Sequence, residues 1–246
     1  NNLNTLSELS DDLDLDPENV NILVRLFILL YADDTAICAE SPDGLQNGLE
    51  CVSDYCDMWS LKLNANKCKV IVFSKGKIRN IPVLSIGENR LEVVFDFTYL
   101  GLKLNYNNQF TVAQKDLSIR ASRAMFAMLK KSSRLSLPLD VMFDLFDKTV
   151  VPVLTYGCEV WGTSVTDTIL KLQRKFYKMV LQLRQSTPTP MLFGETGNVS
   201  VDVHVKNRVL NYWLRLCHPD YKHKISSVVY NFLYKSCQEK SMNLHI

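Results

Sequence analysis

Two adjacent acidic residues, Asp33 and Asp34, are the strongest candidates for chemistry in this sequence. They follow Tyr31 and Ala32, and short apolar stretches lie on both sides of these four residues. Two β-prone segments around a pair of acids predict a tight hairpin with the carboxylates at its turn. Like charges that close repel each other, and a divalent cation relieves the repulsion. The alternative is an ordinary Asp-Asp turn with both side chains in water, which is common in hairpins.

The elements after this hairpin predict an α+β fold. Ser41 and Pro42 have the pattern of an N-cap followed by proline at the first helical position. Apolar residues then recur at helical spacing and predict an amphipathic helix of about four turns; they are Leu45, Leu49, Val52, Cys56 and Trp59. Short strands are predicted at 70–73, 83–86, 91–95 and 97–104.

From residue 106 onward the sequence predicts helices. The first has an apolar face between Leu117 and Leu129 and a basic opposite face. The second begins at Leu137 and ends or kinks near Pro152. A third, basic along Lys171–Lys178, completes a small bundle.

The end of the chain is also predicted to be helical. The four residues 187–190 alternate threonine and proline and predict a linker, and a last helix is expected at about 203–217. The predicted domains are therefore 1–105, 106–185 and 186–246.

Charge is distributed unevenly along the chain. Residues 1–50 contain eleven Asp or Glu and one basic residue, so the other 196 residues carry 27 Lys or Arg against 15 acids. This distribution is typical of a chain that binds a metal ion through acidic residues near one end and binds a polyanion through the rest. Ordinary solvated faces are the alternative.

The cellular compartment is predicted from the spacing of the cysteines and from whether the sequence contains targeting or membrane-spanning segments. Seven cysteines form no CxxC pair, and no signal peptide or membrane-spanning run is visible. We therefore expect an intracellular protein, in the nucleus or the cytoplasm, without a membrane partner. The chain begins with Asn1, so we expect a fragment of something longer.

Residues 29–35 resemble the metal-binding hairpin of reverse transcriptases, and later motifs follow in the family's order. Residues 59–70 look like the next palm motif, in which Leu-Asn and two lysines precede a strand, and 97–101 resemble the primer-grip hairpin. Residues 151–162 and 181–197 are similar to segments of jockey-like non-LTR elements. Ordered motifs over nearly the whole chain are far more specific than any one of them.

The resemblance implies the C-terminal part of a non-LTR retrotransposon reverse transcriptase, an RNA-directed DNA polymerase. Its fold would be a partial palm (an antiparallel sheet with a helix), then an all-helical thumb bundle and a helical C-terminal region. Asp33 and Asp34 would be catalytic ligands of magnesium in a two-metal site. Lys67 would place a cation near the departing pyrophosphate; its alternative is a solvated lysine between a helix and a strand.

The implied partners are an RNA template, a DNA primer and deoxynucleoside triphosphates, and no obligate protein partner is indicated. Tyr31 and Ala32 would lie beside the primer terminus and the nucleotide. The primer would be positioned by Phe97, Tyr99, Leu100 and Gly101, for which a plain hairpin core is the alternative. Phosphate contacts are expected from basic helix faces, with Arg120, Arg123, Lys130, Lys131 and the lysines of 171–178 as the candidates.

The sequence departs from the family's pattern in one respect. The family's third carboxylate, on an earlier strand, and its fingers region find no counterpart here, so we expect no polymerase activity from this chain alone. The alternative function is a non-catalytic nucleic-acid-binding remnant of a decayed or domesticated element. An unrelated α+β protein with a chance Tyr-Ala-Asp-Asp would require every later motif to be coincidence.

Overall fold

The computed structural model describes residues 28–31, 34–74, 76, 81–222 and 224–242 of the 246-residue chain. These residues divide into two compact units. The described residues up to 70, from 81 to 94 and from 215 onward form what we term the sheet unit. Those between 71 and 77 and from 95 to 214 form the helical unit. The domain bounds expected from the sequence stay predictions.

The sheet unit combines short paired strands with two long helices. Strands β1 and β2 pair antiparallel, as do β4 and β5, while β3 and β6 pair in parallel. The described elements are β1 (Ile28–Tyr31), β2 (Asp34–Ile37), α1 (Pro42–Met58), β3 (Lys69–Val70), β4 (Ser85–Ile86), β5 (Asn89–Arg90), β6 (Glu92–Val93), a 3-10 turn (Pro219–Tyr221) and α9 (Ile225–Met242). The predicted mixture of helices and short strands is confirmed, although the strands form separate pairs and not one sheet.

Helix α1 begins where the sequence predicts. The backbone of Ser41 is extended, and its hydroxyl accepts a hydrogen bond from the Gly44 amide at 3.1 Å, which satisfies one free amide of the first turn. Leu49 and Cys56 are buried, which supports the predicted apolar face. The position predicted for Trp59 on that face is wrong, because the helix ends at Met58 and the indole is 64% exposed.

The strand predicted at 70–73 is wrong for most of its length. Only Lys69 and Val70 pair with a neighbouring strand, and Phe73 is 54% exposed. The apolar run suggests four buried residues, but the chain passes after Val70 from the sheet unit into the helical unit. The change of unit depends on contacts that a local pattern does not encode.

The helical unit contains one hairpin and a series of helices. Its elements are β7 (Asp96–Tyr99), β8 (Leu102–Asn105), α2 (Thr111–Ser132), α3 (Leu139–Thr149), α4 (Val151–Leu154), α5 (Cys158–Trp161), α6 (Asp167–Val180), α7 (Thr189–Thr196) and α8 (Val201–Cys217), of which the last three residues lie in the sheet unit. In the part of the chain that is described, no helix is both long and apolar enough to cross a bilayer.

The core of the helical unit lies where α2, α3 and α6 face one another. Leu117, Ala121 and Met125 recur at helical spacing on α2 and are fully buried, which confirms the predicted apolar face. Phe146 of α3 stacks on Phe176 of α6 with ring centroids 4.1 Å apart. Burying a side chain of that size contributes about 1.5–3 kcal/mol, so this aromatic pair is a principal contact of the core.

The linker predicted at 187–190 is wrong in its second half. Helix α7 begins at Thr189, and Pro190 occupies its first turn, where the missing amide hydrogen costs nothing. Leu192 is buried, and Phe193 packs edge-on against Tyr177 with centroids 5.6 Å apart. The threonine–proline alternation therefore starts a packed helix, because proline favours first turns as much as it favours loops.

Gln114 is a polar residue buried on the apolar face of α2. Its amide nitrogen donates to the Ser164 carbonyl at 2.7 Å, and its oxygen accepts from the Thr166 amide at 2.7 Å. The same side chain thus pairs two backbone groups of the loop before α6. Unpaired, each of those groups would carry the cost of a buried polar atom.

We expect Gln114→Leu to lower the free energy of unfolding by about 2 to 4 kcal/mol, since two backbone groups lose their partner. Urea unfolding followed by tryptophan fluorescence measures this, because the buried Trp161 reports on the helical unit. The matched control is Gln109→Leu, at an exposed position of the same unit. Equal stability of the two variants would contradict the bridging role.

Candidate nucleic-acid interface

The hairpin β1–β2 determines the position of Asp34. Tyr31 pairs with Asp34 in the strand register, so only Ala32 and Asp33 connect the strands. Those two residues lie outside the described part of the chain, and the Asp34 side chain is exposed. The described residues contain no group of three His, Cys, Asp or Glu that could hold a metal ion.

Lys67 lies in the turn between α1 and β3. Its backbone amide donates to the Asn64 carbonyl at 3.0 Å, and its side chain is exposed. It forms no salt bridge with any described carboxylate. The structure therefore presents a solvated cation at a helix-to-strand junction, a position that leaves it available to a phosphate ligand.

The hairpin β7–β8 carries the four residues predicted to position a primer. Tyr99 pairs with Leu102, so Leu100 and Gly101 form a two-residue turn, with φ angles of +46° and +80°. Positive φ at both central positions is the pattern of a type I′ turn. Glycine adopts it without strain, whereas Leu100 does so only because its surroundings hold it there. Phe97, in β7, is 37% exposed.

Two side chains of the helical unit hold this turn by its carbonyl groups. The Tyr156 hydroxyl donates to the Leu100 carbonyl at 2.7 Å, and the Arg120 guanidinium donates to the Gly101 carbonyl at 2.7 Å. A Cβ atom at position 101 would lie 3.4 Å from the Tyr156 ring. The turn is therefore held in place by a close contact and by two hydrogen bonds.

Arg120 is thus engaged inside the protein, although the sequence predicts it as a phosphate contact. Besides Gly101, its guanidinium binds the Asp116 carboxylate at 2.7 Å, one helical turn away. Arg123 makes no salt bridge with a described carboxylate, and its side chain is exposed, as are Lys130 and Lys131. The basic face of α2 is therefore divided between one internal and several external cations.

Tyr156 is itself positioned by the bend between α4 and α5, which we term the Tyr156 bend (residues 155–157). The Trp161 indole donates to the Tyr156 carbonyl at 2.9 Å, and Gly157 has a φ of +63°. Arg208 donates to the Thr155 carbonyl at 3.2 Å and to the Glu159 carboxylate at 2.6 Å. Sequence reasoning missed these partners; the adjacent tyrosine and glycine were the only local signal of a turn.

A groove of about 450 Å³ runs between α2 and α6. The surface between its charged residues, which we term its floor, is apolar over most of its area and includes Ile119 and Leu172, besides the hydroxyl-bearing Ser118, Ser122 and Thr168. The residues at its rim that carry positive charge are Lys115, Arg123, Lys171 and Lys175. A second cavity of about 520 Å³ shares Lys171 and Lys175 with it. We term the first cavity the α2–α6 groove.

One carboxylate reduces the positive charge beside the groove. Hydrogen bonds from Lys171 and Arg174 hold the pKa of Asp167 below its usual range, so that carboxylate is ionised at neutral pH. Lys171 contacts it at 3.0 Å. Lys115, Arg123 and Lys175 form no salt bridge with described carboxylates. These three cations are therefore the ones in the groove that a polyanion can bind without breaking a salt bridge with a described carboxylate.

The first part of the chain is similar to a known protein family. Residues 4–104 match the family model described as reverse transcriptase (RNA-dependent DNA polymerase). That segment contains the β1–β2 hairpin, Lys67 and most of the β7–β8 hairpin. Residues 4–104 are therefore similar to the reverse transcriptase family, as their motifs predicted.

Particular relatives come from mobile elements of flies. The chain is similar to the RNA-directed DNA polymerase from mobile element jockey of Drosophila funebris, at 25% identity over 191 residues, which is 74% of this chain and 20% of the relative. The jockey polymerase of Drosophila melanogaster is 25% identical over 158 residues, 60% of this chain and 17% of the relative. A probable RNA-directed DNA polymerase from transposon X-element of the same species is 25% identical over 168 residues, 65% of this chain and 18% of the relative.

These relatives confirm the predicted resemblance to non-LTR reverse transcriptases. The chain spans about a fifth of the length of each of these three relatives. No solved structure matches the chain. The similarity to the jockey polymerases extends over most of this chain, so it includes residues beyond those that the family model matches.

We expect Tyr156→Phe to lower the free energy of unfolding by about 1 kcal/mol, because the Leu100 carbonyl loses a hydrogen bond that offsets the strain of its positive φ. Urea unfolding measures the difference. Tyr106→Phe is the matched control, since the hydroxyl of Tyr106 has no partner among the described residues. The role assigned to Tyr156 would be wrong if both variants kept the stability of the parent chain.

Proposed function

We propose that this chain is part of an RNA-directed DNA polymerase of a non-LTR retrotransposon. Residues 1–105 would form part of the palm, 106–185 the thumb and 186–246 the region after it. The observation that carries the proposal is the match of residues 4–104 to the reverse transcriptase family, together with a strand register that leaves Ala32 and Asp33 as the only residues between β1 and β2.

The β1–β2 hairpin would supply carboxylates for a divalent cation. Asp33 and Asp34 offer the oxygen ligands that magnesium takes, and the exposed Asp34 side chain leaves room for waters and phosphate oxygens. Magnesium, when bound, would supply charge neutralisation to a nucleotide phosphate. Lys67 would add a positive charge for the departing pyrophosphate, and its free, solvated side chain is compatible with that role.

The helical unit would hold the template and primer. The Leu100–Gly101 turn would carry the primer contact, with Phe97 and Tyr99 on the preceding strand. Tyr31 belongs to the sheet unit, and the family resemblance alone assigns it and Ala32 a place beside the primer end. Arg120 and Tyr156 act as positioning residues, since they hold the turn by its carbonyls. Phosphates would bind the cations of the α2–α6 groove and Lys130 and Lys131, because backbone phosphates provide most of the affinity of such interfaces.

We expect Mn²⁺, a paramagnetic substitute for magnesium, to bind the chain through the β1–β2 hairpin. Replacing Asp33 and Asp34 together by Asn should weaken binding, because amide oxygens carry no charge. Electron paramagnetic resonance measures the free Mn²⁺ in a titration. The matched control replaces Asp11 and Asp12 by Asn, another adjacent acidic pair of the chain. Equal losses in both double variants would show that no specific site exists at the hairpin.

We expect Lys115→Gln with Arg123→Gln to weaken binding of a poly(rA)–oligo(dT) hybrid. The slope of log affinity against log salt should fall by roughly 0.7 to 0.9 for each neutralised contact. Asp167→Asn should act in the opposite direction, since it removes the negative charge beside the groove. Fluorescence anisotropy across a salt series measures both effects.

The control for this experiment is Lys148→Gln with Lys206→Gln. Both lysines are highly exposed, and they pair with Asp144 and Asp202 on α3 and α8. The control removes the same charge from the chain, so it separates the groove from a general effect of net charge. An equal loss of affinity in the control would contradict a specific phosphate site in the groove.

A second candidate function is non-catalytic nucleic-acid binding, as in a remnant of a decayed or domesticated element. The basic α2–α6 groove favours it, because the groove needs no metal. Primer extension on a poly(rA) template with magnesium addresses the activity itself. We expect the chain alone to show no incorporation above an Asp33→Ala variant, because two carboxylates are fewer than the three of the family site. Incorporation above that variant would establish polymerase activity and exclude the non-catalytic alternative.

A further inference from the structure

The floor of the α2–α6 groove is apolar, although phosphate binding requires only its charged rim. Ile119 is 46% exposed on the floor, and Leu172 lies opposite. One turn beyond Arg123, Phe126 is 43% exposed. Lys175 lies 4.8 Å from the centre of the Phe126 ring. An exposed aromatic ring thus lies next to the cations at one end of the groove.

Charged and apolar residues alternate along this face of α2. Lys115, Ile119, Arg123, Phe126 and Lys130 follow one another at spacings of three and four, so each lies about one turn, or roughly 5 Å, from the next. A phosphate bound by Arg123 therefore has an aromatic ring one turn away on one side and Ile119 one turn away on the other. A nucleic-acid strand has a matching alternation of charged phosphates and flat bases, whereas a simple polyanion carries only charge.

A duplex cannot use the apolar part of this groove. Its bases are stacked and paired inside, so it offers phosphates, sugars and base edges but no free base face for stacking. The stretch from Lys115 to Phe126 is about 16 Å long, which is well short of one helical turn of duplex. An unpaired strand can turn its bases toward the floor while its phosphates contact the rim.

We propose that the α2–α6 groove binds an unpaired RNA strand, with one base stacked on Phe126 and the flanking phosphates on Arg123 and Lys175. The inference rests on the proposed function, which assigns an RNA template to this chain, and it names the part of the template that this groove takes. A base can stack on Phe126 although Lys175 lies over the ring, because an aromatic ring has two faces. The ammonium group of Lys175 is also on a flexible side chain, so it can move to a phosphate.

Binding of a short poly(rA) oligonucleotide to the full chain tests the proposal by fluorescence anisotropy. We expect Phe126→Ala to weaken this binding by roughly 5- to 150-fold, the usual effect of removing one base–aromatic stack. Phe126→Tyr should restore it, since the ring remains. Phe73→Ala is the matched control, because Phe73 is an exposed phenylalanine of the same unit that lies on neither α2 nor α6. Circular dichroism confirms that each variant is folded.

A blunt RNA duplex distinguishes failure of this inference from failure of the proposed function. We expect Lys115→Gln with Arg123→Gln to weaken binding of both RNAs, and Phe126→Ala to affect the unpaired one alone. Equal binding by Phe126→Ala and Phe126→Tyr would overturn the stacking proposal and leave the phosphate site intact. If the charge variants changed neither affinity, the groove would not be a nucleic-acid site, and both proposals for it would fail.

Crosslinking gives a readout that does not depend on stability. An oligonucleotide containing 4-thiouridine, irradiated on the folded chain, should attach to the tryptic peptide of residues 124–130, which contains Phe126. Attachment confined to peptides outside α2 and α6 would place the unpaired strand elsewhere and overturn the proposal. Unlabelled poly(rA) should compete more strongly than the blunt duplex, because both bind the groove cations but only the unpaired strand can stack on Phe126.

Discussion

The Tyr156 bend is the constraint on which the rest of the helical unit depends. At this bend the chain leaves α4 and enters α5, and Gly157 supplies the left-handed backbone that the change of direction requires. Arg208 of α8 donates a hydrogen bond to the Thr155 carbonyl of this bend. A Cβ atom at Gly162 would lie 2.6 Å from Val205, which is also in α8. Because α8 packs that closely, no larger residue fits at 162. The bend therefore determines where α8 packs and where the Tyr156 hydroxyl meets the β7–β8 turn.

Helix α2 links the Tyr156 bend to the candidate nucleic-acid interface, because each face of the helix contacts a different part of the protein. Leu117 and its neighbours at helical spacing form the core, Arg120 holds the Gly101 carbonyl, and Arg123 lines the groove. A helix of 22 residues is a rod about 33 Å long, so these faces keep a fixed relation. The turn and the phosphate groove therefore share one rigid support. Inserting one residue into α2 would rotate the residues after the insertion by about 100° relative to those before it. The core face, the Arg120 contact with Gly101 and the groove would then no longer be aligned.

Features that depend on near neighbours could be predicted from the sequence, and features that depend on distant partners could not. The Ser41 cap and the apolar stripe of α2 follow from spacings of three and four residues, and both are confirmed. Tyr156 meets Leu100 across 56 residues, and Gln114 meets Ser164 across 50. No periodicity encodes such pairs. Only Gln114 left a signal, as a polar residue on an apolar face, where burial requires a hydrogen-bonding partner.

The same distinction separates Arg120 from Arg123, which the sequence pattern places together on one basic face. Three residues of helix rotate a side chain by about 300°, so the two are neighbours on the surface of α2. Arg120 nevertheless reaches an internal carbonyl and Asp116, whereas Arg123 reaches the groove. A polyanion gains little from a cation that is already paired, because it must first displace the existing partner. The positive charge available to RNA is therefore determined by which internal acceptors the fold provides, and the number of basic residues on a helix face overstates it.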